Sequence, residues 1–298
     1  MAAQMSKNMS DILLRPDGII ENLENQVIRK IGNVFPTLGV IVSDNPNALE
    51  MLCIKSIKSL ADKYGANIDV RMCRDVTDAY KAVKNLSYSP GTDGIVVLPS
   101  YTNDRFLLNS IPTVLDLDCL SANSIGAFEC DMSDTFYRLA PCMSCSAYKV
   151  VEYFDIPVKG KRVTIVGKSL RTSLPIASIF LKKGAIIKVL DSNCSWSSYN
   201  DADIIVCSAN NPCFLGKHAV SEDQVIIDVG FGIDDLGNVP GDVNLDEVAP
   251  ILANGTGRIA TIDGTIIPIA AELLMAKLFV NAAKMRNMMM LDTRGNIV

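Results

Sequence analysis

The sequence predicts an α/β fold of two lobes, each built on a parallel sheet, and three observations support it. The chain has 298 residues, the length of two ordinary domains rather than one. Short apolar runs alternate with helical segments, an order in which strands pair in parallel through crossover connections. A second alternating series begins at 163–173, where an apolar strand runs into a glycine and then a helix. We therefore predict a second lobe with a doubly wound parallel sheet.

The elements of both lobes follow from periodicity and from glycine or capping signals. Gly65 marks the end of one helix and Gly184 the end of another. In the first lobe we predict helices at 18–31, 48–64 and 78–85 and strands at 37–42, 67–72 and 94–98, followed by a turn-rich polar stretch at 116–143. In the second lobe we predict helices at 146–154 and 174–182, strands at 163–166, 185–190, 204–208 and 225–229, and a short helix within 241–249.

The composition limits the kinds of partner. A net charge of -5 with no run of Lys and Arg argues against a nucleic-acid surface. The nine cysteines are scattered and the N-terminus lacks the apolar core of a secretory signal, so we expect a reducing, cytoplasmic setting. Only Cys142 and Cys145 are closely spaced and His218 is the one histidine, so no metal site is predicted.

The apolar segment 264–283 is long enough to cross a bilayer. Glu272 lies near its middle and Lys277 follows, and a charge at the centre of a membrane helix costs about 2.5–3.5 kcal/mol. We therefore expect a buried helix of a protein without a membrane partner, with Pro268 in its first turn.

The turn at 163–173 is typical of a nucleotide site in one respect and departs from it in another. Gly167 stands where a dinucleotide-binding turn needs its first glycine, but Ser169 and Thr172 replace the later ones. The small Ser169 and Ser173 carry hydroxyls that suit phosphate, and a helix N-terminus favours anions.

Asp191 follows the next predicted strand, where an acid accepts the hydroxyls of the adenosine ribose. That acid favours NAD over NADP, whereas Lys168 and Arg171 suit either the pyrophosphate or a 2′-phosphate. The choice between NAD and NADP stays open at this point.

Several motifs in order resemble those of the methylenetetrahydrofolate dehydrogenase/cyclohydrolase family. They are Gly160-Lys-Arg-Val-Thr-Ile-Val-Gly-Lys-Ser169 with Pro175, Asp116-Leu-Asp118, Pro141-Cys142, Asp228-Val-Gly230 and Gly241-Asp-Val243. The resemblance implies a folate lobe at 1–145, a Rossmann-type lobe at 146–267, and a last helix, 268–290, that returns to the first lobe. It also implies hydride transfer from 5,10-methylenetetrahydrofolate to NAD or NADP, hydrolysis of the methenyl product as a second activity, and a homodimer.

The resemblance further implies site residues. The family's catalytic lysine, in a Tyr-x-x-x-Lys pattern, falls on Lys55 with Met51 in place of the tyrosine when positions are counted from Asp44 and Pro46. Counting from Gly65 gives Cys53 and Ile57 instead, and we favour Lys55 because a helix does not absorb insertions in its middle. Asp118 matches an acid that binds the pterin. The other expected contacts are, for substrate, Val97, Pro99, Asp263, Gly264 and Pro268, and for cofactor, Gly167, Lys168, Ser169, Arg171, Asp191, Ser192, Ser208 and Gly230.

The chain also departs from the family pattern. The strand 93–99 lacks the glutamine that partners the lysine, and 260–268 replaces a glycine-rich loop that lets the backbone approach both ligands. These departures keep two other hypotheses open. One is a binding or regulatory protein that has lost the chemistry, and the other is a dehydrogenase of another small substrate.

Overall fold

The computed structural model describes residues 8–31, 34–131, 139–199, 201–234, 236 and 238–286. The chain divides into two units, and each combines segments that are far apart in sequence. We call them the three-stranded unit, Ile20–Cys142 with Ala270–Val298, and the five-stranded unit, Met1–Ile19 with Met143–Ile269. Parallel sheets in both units confirm the predicted α/β class.

The N-terminal segment contains α1 (Met9–Ile12) and α2 (Asp17–Leu23), which continues through a π-helical turn (Glu24–Ile28) into α3 (Arg29–Ile31). The predicted first lobe began at residue 1. In the structure, residues up to Ile19 group with the five-stranded unit instead, so the boundary differs from the predicted one. The Leu14 N–H donates to the Ile259 carbonyl at 2.8 Å, and Ile12 is fully buried in that unit's core. The N-terminal segment joins the five-stranded unit because its apolar side chains are buried there.

The three-stranded unit alternates β1 (Thr37–Ser43), α4 (Ala48–Tyr64), β2 (Asn67–Cys73), α5 (Val76–Ser87) and β3 (Gly94–Val97), and α6 (Arg105–Asn109) and α7 (Ala122–Cys130) follow. Its strand order is β2-β1-β3, all parallel. Asn47 caps α4 by accepting from the Glu50 N–H, and Gly65 ends it in the left-handed region at φ 75°. The α7 helix lies in the stretch predicted to be turns, and Ser121 caps it.

The five-stranded unit contains α8 (Cys142–Tyr153), β4 (Arg162–Val166), α9 (Ser173–Lys182), β5 (Ile186–Leu190), β6 (Ile204–Cys207), β7 (Val225–Asp228), α10 (Leu245–Asn254) and β8 (Arg258–Ala260). All strands are parallel in the order β5-β4-β6-β7-β8. The order changes direction between β4 and β6. In such sheets ligands bind outside the carboxyl ends of the strands at that switch point.

The last described helix, α11 (Ile267–Met285), follows a π-helical turn and returns to the three-stranded unit as predicted. Asn281 donates to the Asp93 carbonyl at 2.7 Å, and Arg286 pairs with the Asp93 carboxylate at 2.8 Å. With the π turn, this segment is apolar and long enough to span a membrane, but 67% of its most apolar window is buried in the protein. Inside it, Glu272 is 1% exposed and accepts a hydrogen bond from the Tyr64 hydroxyl at 2.5 Å.

Candidate functional site

The switch point of the five-stranded unit is formed by close contact between the ends of β4 and β6. Gly167 follows β4 with φ at 125°, and its N–H donates to the Leu190 carbonyl at 2.8 Å. A Cβ atom at Gly167 would lie 2.1 Å from the Ser208 carbonyl oxygen, so no side chain fits there. The structure thus gives Gly167 the conformational role that the turn predicts.

Hydroxyl groups occupy the positions where further glycines were expected. Thr172 Oγ1 lies 2.7 Å from Ser208 Oγ, and Ser173 Oγ donates to the same oxygen at 3.1 Å. Ser173 Oγ also accepts from the Ser169 N–H at 3.1 Å, and Ser169 Oγ accepts from the Arg171 N–H at 3.1 Å. Four hydroxyls therefore close the turn by hydrogen bonds, and the predicted Ser169 and Ser208 come together through Ser173.

A pair of opposite charges lies beside this turn. Lys168 Nζ is 2.7 Å from Asp191 Oδ2, and Asn193 donates to Asp191 Oδ1 through its backbone N–H at 3.1 Å and its side chain at 2.8 Å. The hydrogen bond from Lys168 lowers the pKa of Asp191, and the same bond raises the pKa of Lys168. Two residues predicted as separate contacts are partners, with Ser192 half-buried next to them.

Two buried acids, Asp228 and Asp242, organise the loop that follows β6. The Asp242 carboxylate accepts hydrogen bonds from the backbone N–H groups of Ala209, Asn210 and Asn211. Asp228 in turn accepts from the Asp242 and Val243 N–H groups at 3.2 and 3.1 Å. Burial raises the pKa of both acids, for Asp228 well above its ordinary value, with the nearby Asp242 as its second cause.

Position 230 requires a glycine because of this acid pair. A Cβ atom there would lie 1.8 Å from Asp242 Oδ2. Sequence reasoning assigned Gly230 to the cofactor and did not single out Asp242 as a site residue. The signal was the two motifs that contain them, Asp228-Val-Gly230 and Gly241-Asp-Val243, which the structure brings together.

In the three-stranded unit, α4 carries the predicted lysine. The Met51 side chain is 54% exposed, and Lys55 is exposed without a hydrogen bond or ion pair to the described part of the chain. The inward position at the start of the helix belongs to Glu50, which is fully buried and accepts from the Ser100 N–H at 2.9 Å. Sequence reasoning missed Glu50, whose bond to Ser100 connects the helix to the segment after β3.

The segment after β3 contains two predicted substrate contacts. Val97 is 3% exposed and packs in the core of the three-stranded unit, so its side chain is not available to a ligand. Pro99, in contrast, is half-buried at the start of a 3-10 turn, Pro99–Tyr101. The correction for Val97 follows from β3 being buried along its whole length.

Asp118 lies in a loop that α11 holds in place. Its Oδ1 accepts from the Cys142 N–H at 2.9 Å. Lys277 Nζ donates to the Leu117 and Ala140 carbonyls at 3.1 and 2.6 Å, on the two segments that flank Asp118 and Cys142. Lys277 is a second residue that sequence reasoning missed, because only the fold brings it next to residues so distant in sequence.

The segment before α11 contains the remaining predicted contacts. Asp263 and Gly264 are exposed, and the Gly264 N–H donates to Asp263 Oδ1 at 2.7 Å. Pro268 is half-buried in the first turn of α11, as predicted. Thr265, within the segment that replaces the glycine-rich loop, is 2% exposed and donates to the Leu14 carbonyl at 2.7 Å.

Together, the switch-point glycine, the hydroxyl cluster and an acid after the neighbouring strand define a Rossmann-type dinucleotide-binding protein with a second α/β unit. Comparisons with known proteins support this class of protein. Residues 141–287 match the model of the tetrahydrofolate dehydrogenase/cyclohydrolase NAD(P)-binding domain. The bifunctional protein FolD of Dictyoglomus turgidum is 30% identical over 250 residues, which cover 80% of this chain and 87% of that protein. The chain belongs to the tetrahydrofolate dehydrogenase/cyclohydrolase family.

Solved structures share the same fold. The bifunctional 5,10-methylenetetrahydrofolate dehydrogenase/cyclohydrolase of Thermoplasma acidophilum has a TM-score of 0.75 at 23% identity, covering 92% of this chain and 99% of that one. The Trypanosoma brucei enzyme, solved with NADP and an inhibitor, has a TM-score of 0.77 at 17% identity and covers 93% of this chain and 98% of that one. These likenesses extend over both units.

Proposed function

We propose that this protein is an NAD(P)-dependent 5,10-methylenetetrahydrofolate dehydrogenase. The observation that carries the proposal is the turn at Gly167, which has the backbone conformation and close strand contact of a dinucleotide site within a chain of this family. When bound, the cofactor would supply the hydride acceptor for oxidation of the methylene bridge of the folate. The chain's own residues bind and orient the two ligands.

The five-stranded unit fits a dinucleotide at named positions. We assign the pyrophosphate to the turn of Gly167, Ser169 and Arg171, which leads into the N-terminus of α9, because a helix N-terminus favours an anion. Ser208, at the end of β6, holds that turn through Thr172 and Ser173. Asp242 fixes the loop after β6, and we assign this loop to the nicotinamide side of the site because it follows the second strand of the switch point.

For the three-stranded unit we propose the folate side of the site. Asp118 is the predicted acid for the pterin, since a carboxylate accepts paired hydrogen bonds from the amino and ring nitrogens. Its position is supported by the Cys142 N–H and by the contacts of Lys277 with the same loop. Pro99 remains a predicted substrate contact of this unit, and Asp263, Gly264 and Pro268, which belong to the five-stranded unit, also remain predicted substrate contacts.

Lys55 is the proposed general acid-base group for the methenyl hydrolysis step. Its ammonium group is exposed and has no ionic partner in the described structure. General acid-base catalysis depends on a positioned group, whereas hydride transfer depends chiefly on the placement of two rings. We therefore propose the dehydrogenase as the main activity and the cyclohydrolase as the weaker one.

We also propose a cytoplasmic homodimer. The edge strand β5 and the helix before it expose apolar side chains, with Leu181 at 63%, Ile186 at 60% and Val189 at 41%. An apolar edge strand is unfavourable when it is left open to water. The scattered spacing of the nine cysteines fits a reducing compartment. Light scattering on a size-exclusion column tests the dimer.

The decisive experiment measures binding and turnover in parallel. Thermal unfolding is followed with NAD, NADP and a folate analogue, because a ligand of the folded state raises the midpoint. Turnover of methylenetetrahydrofolate is then followed by the absorbance of the reduced cofactor. Stabilisation by both ligand types with turnover supports the proposal. Stabilisation by a dinucleotide without any effect of folate indicates a dehydrogenase of another substrate, and no stabilisation by either indicates a binding or regulatory protein.

A further inference from the structure

We infer that Asp191, held in place by Lys168 and Asn193, makes this protein selective for NAD over NADP. The inference rests on the proposed dehydrogenase function and extends it, since it names the dinucleotide without a 2′-phosphate as the cofactor.

Asp191 lies at the end of the strand that neighbours β4 in the sheet. Strands β4 and β5 pair in parallel with Val166 opposite Leu190, so Gly167 and Asp191 follow the same edge of two neighbouring strands. The Gly167 N–H bond to the Leu190 carbonyl keeps these two ends together. In a Rossmann-type unit, an acid at this point faces the hydroxyls of the adenosine ribose. The Asp191 carboxylate is therefore the group that would accept hydrogen bonds from these hydroxyls, including the one at the 2′ position.

Hydrogen bonds to both oxygens fix the orientation of the Asp191 carboxylate. Asn193 donates twice to Oδ1, at 3.1 and 2.8 Å, and Lys168 donates to Oδ2 at 2.7 Å. The hydrogen bond from Lys168 lowers the pKa of Asp191, so the group stays ionised at neutral pH. Its side chain is 37% exposed, which leaves room for ribose hydroxyls to donate to it. An oriented, charged acceptor favours a 2′-hydroxyl.

The positive charge of Lys168, taken alone, would favour a 2′-phosphate. In the structure its ammonium group is bound to Asp191 and is not a separate anion site. A 2′-phosphate, with a charge of about -2, would take Lys168 only by breaking this ion pair and would then face the Asp191 carboxylate. Ribose hydroxyls neither break this ion pair nor bring a negative charge next to Asp191. Asp191 therefore decides the selectivity, and Lys168 becomes available to a phosphate only when Asp191 is replaced.

The test is calorimetric titration of the full chain at low salt with NAD, NADP, adenosine 5′-monophosphate and adenosine 2′,5′-bisphosphate. For the wild type we expect NAD to bind about tenfold or more tightly than NADP, and the monophosphate more tightly than the bisphosphate. Asp191→Ser should remove or reverse both differences in affinity, because Lys168 then loses its partner and can bind a phosphate. Adding Lys168→Ala to Asp191→Ser should abolish the gain in NADP affinity.

A matched control is Asp201→Ser. This substitution removes another exposed acid of the same unit, paired with Lys188 at 2.8 Å, and should leave the ratio of NAD to NADP affinity unchanged. Preference for NADP in the wild type, an unchanged ratio in Asp191→Ser, or no binding of either dinucleotide would overturn the inference. Selective NAD binding without folate oxidation would instead sustain the inference and contradict only the proposed function.

Discussion

The Asp242 carboxylate accepts a hydrogen bond from the Asn210 N–H at 3.0 Å and so stabilises a residue in the left-handed region, at φ 55°. The N–H groups of Ala209 and Asn211 bind the same carboxylate. Asp242→Ala leaves three donors without their partner, and we expect the free energy of unfolding to fall by about 3 kcal/mol. Urea unfolding measures this change.

The control for Asp242 is Asp246→Ala. Asp246 is exposed in the first turn of α10, so its loss should cost less than about 1 kcal/mol. We also expect Asp242→Ala, but not Asp246→Ala, to weaken dinucleotide binding, since only the first changes the loop after β6. Equal effects of the two substitutions would show that Asp242 does not position that loop.

Gly167→Ala is predicted to abolish dinucleotide binding. The added Cβ would lie 2.1 Å from the Ser208 carbonyl oxygen, and φ at 125° is unfavourable for alanine. Gly126→Ala is the matched control, because Gly126 lies within α7 with no atom near its added Cβ, and alanine favours a helix by about 1 kcal/mol. Thermal unfolding with and without NAD should show loss of the ligand effect in the first variant only. A ligand effect of wild-type size in Gly167→Ala would contradict the proposed site.

Glu272 should make stability depend on pH. Burial raises the pKa of this carboxyl, and the hydrogen bond from Tyr64 offsets part of the rise. A raised pKa means that the folded protein holds the proton more tightly. The contribution is therefore most favourable below the unfolded pKa of about 4.3 and declines as the pH rises through the folded pKa.

Glu272→Gln removes this titration and keeps an acceptor for Tyr64. The wild type should accordingly lose stability relative to Glu272→Gln as the pH rises from about 4 to 8, as measured by urea unfolding at each pH. Tyr64→Phe removes the bond that lowers the pKa of Glu272, and in that variant the loss should extend to higher pH. A stability difference that is constant with pH would argue against a titrating Glu272.

Lys277→Met should affect the folate side of the protein. The Leu117 and Ala140 carbonyls lose their shared donor, so we expect a loss of about 2 kcal/mol in stability. Because both carbonyls flank the loop of Asp118, the KM for folate should rise while NAD affinity stays unchanged. Lys284→Met, at an exposed position of the same helix, is the control. A matching loss of NAD affinity would indicate general disruption instead of positioning.

Lys55→Met tests the acid-base assignment. We expect it to abolish methenyl hydrolysis and to leave hydride transfer measurable, because placement of the two rings does not depend on this group. Lys58→Met removes another exposed lysine of α4 and should change neither activity. Hydrolysis at the wild-type rate in a steady-state assay of Lys55→Met would remove Lys55 from the mechanism.

Much of the fold was predictable because its signals are local. Apolar runs and Gly65 or Gly184 located most strands and helices of both units within a few residues of their true ends, whereas α1, α6 and β8 were not predicted. The N-terminal side of α5 was placed too late, at 78 instead of Val76, because its cap is Asp75, whose side chain accepts from the Asp78 N–H. The helix α7 was missed because it is only nine residues long, contains Gly126, and its apolar residues do not follow a clear helical period.

The site was less predictable because its contacts are not local. Motif order gave Gly167, Ser208 and Asp191 as candidates but did not show that Lys168 binds Asp191. Counting along α4 gave Lys55, while only the coordinates show that Glu50 has the buried position. The Lys277 contacts join residues 137 and 160 positions apart, and no spacing rule in one sequence reports such pairs.

The segment at Leu14 has a consequence for biosynthesis. Thr265 donates to the Leu14 carbonyl across 251 positions, and the three-stranded unit likewise needs α11 from the far end of the chain. A ribosome therefore releases the first strands long before their last partners exist, and neither core can close before residues 265–285 have been made. Contacts at such separation slow folding. The nascent chain must stay soluble with both cores open, and loss of α11 by premature termination would leave the three-stranded unit incomplete.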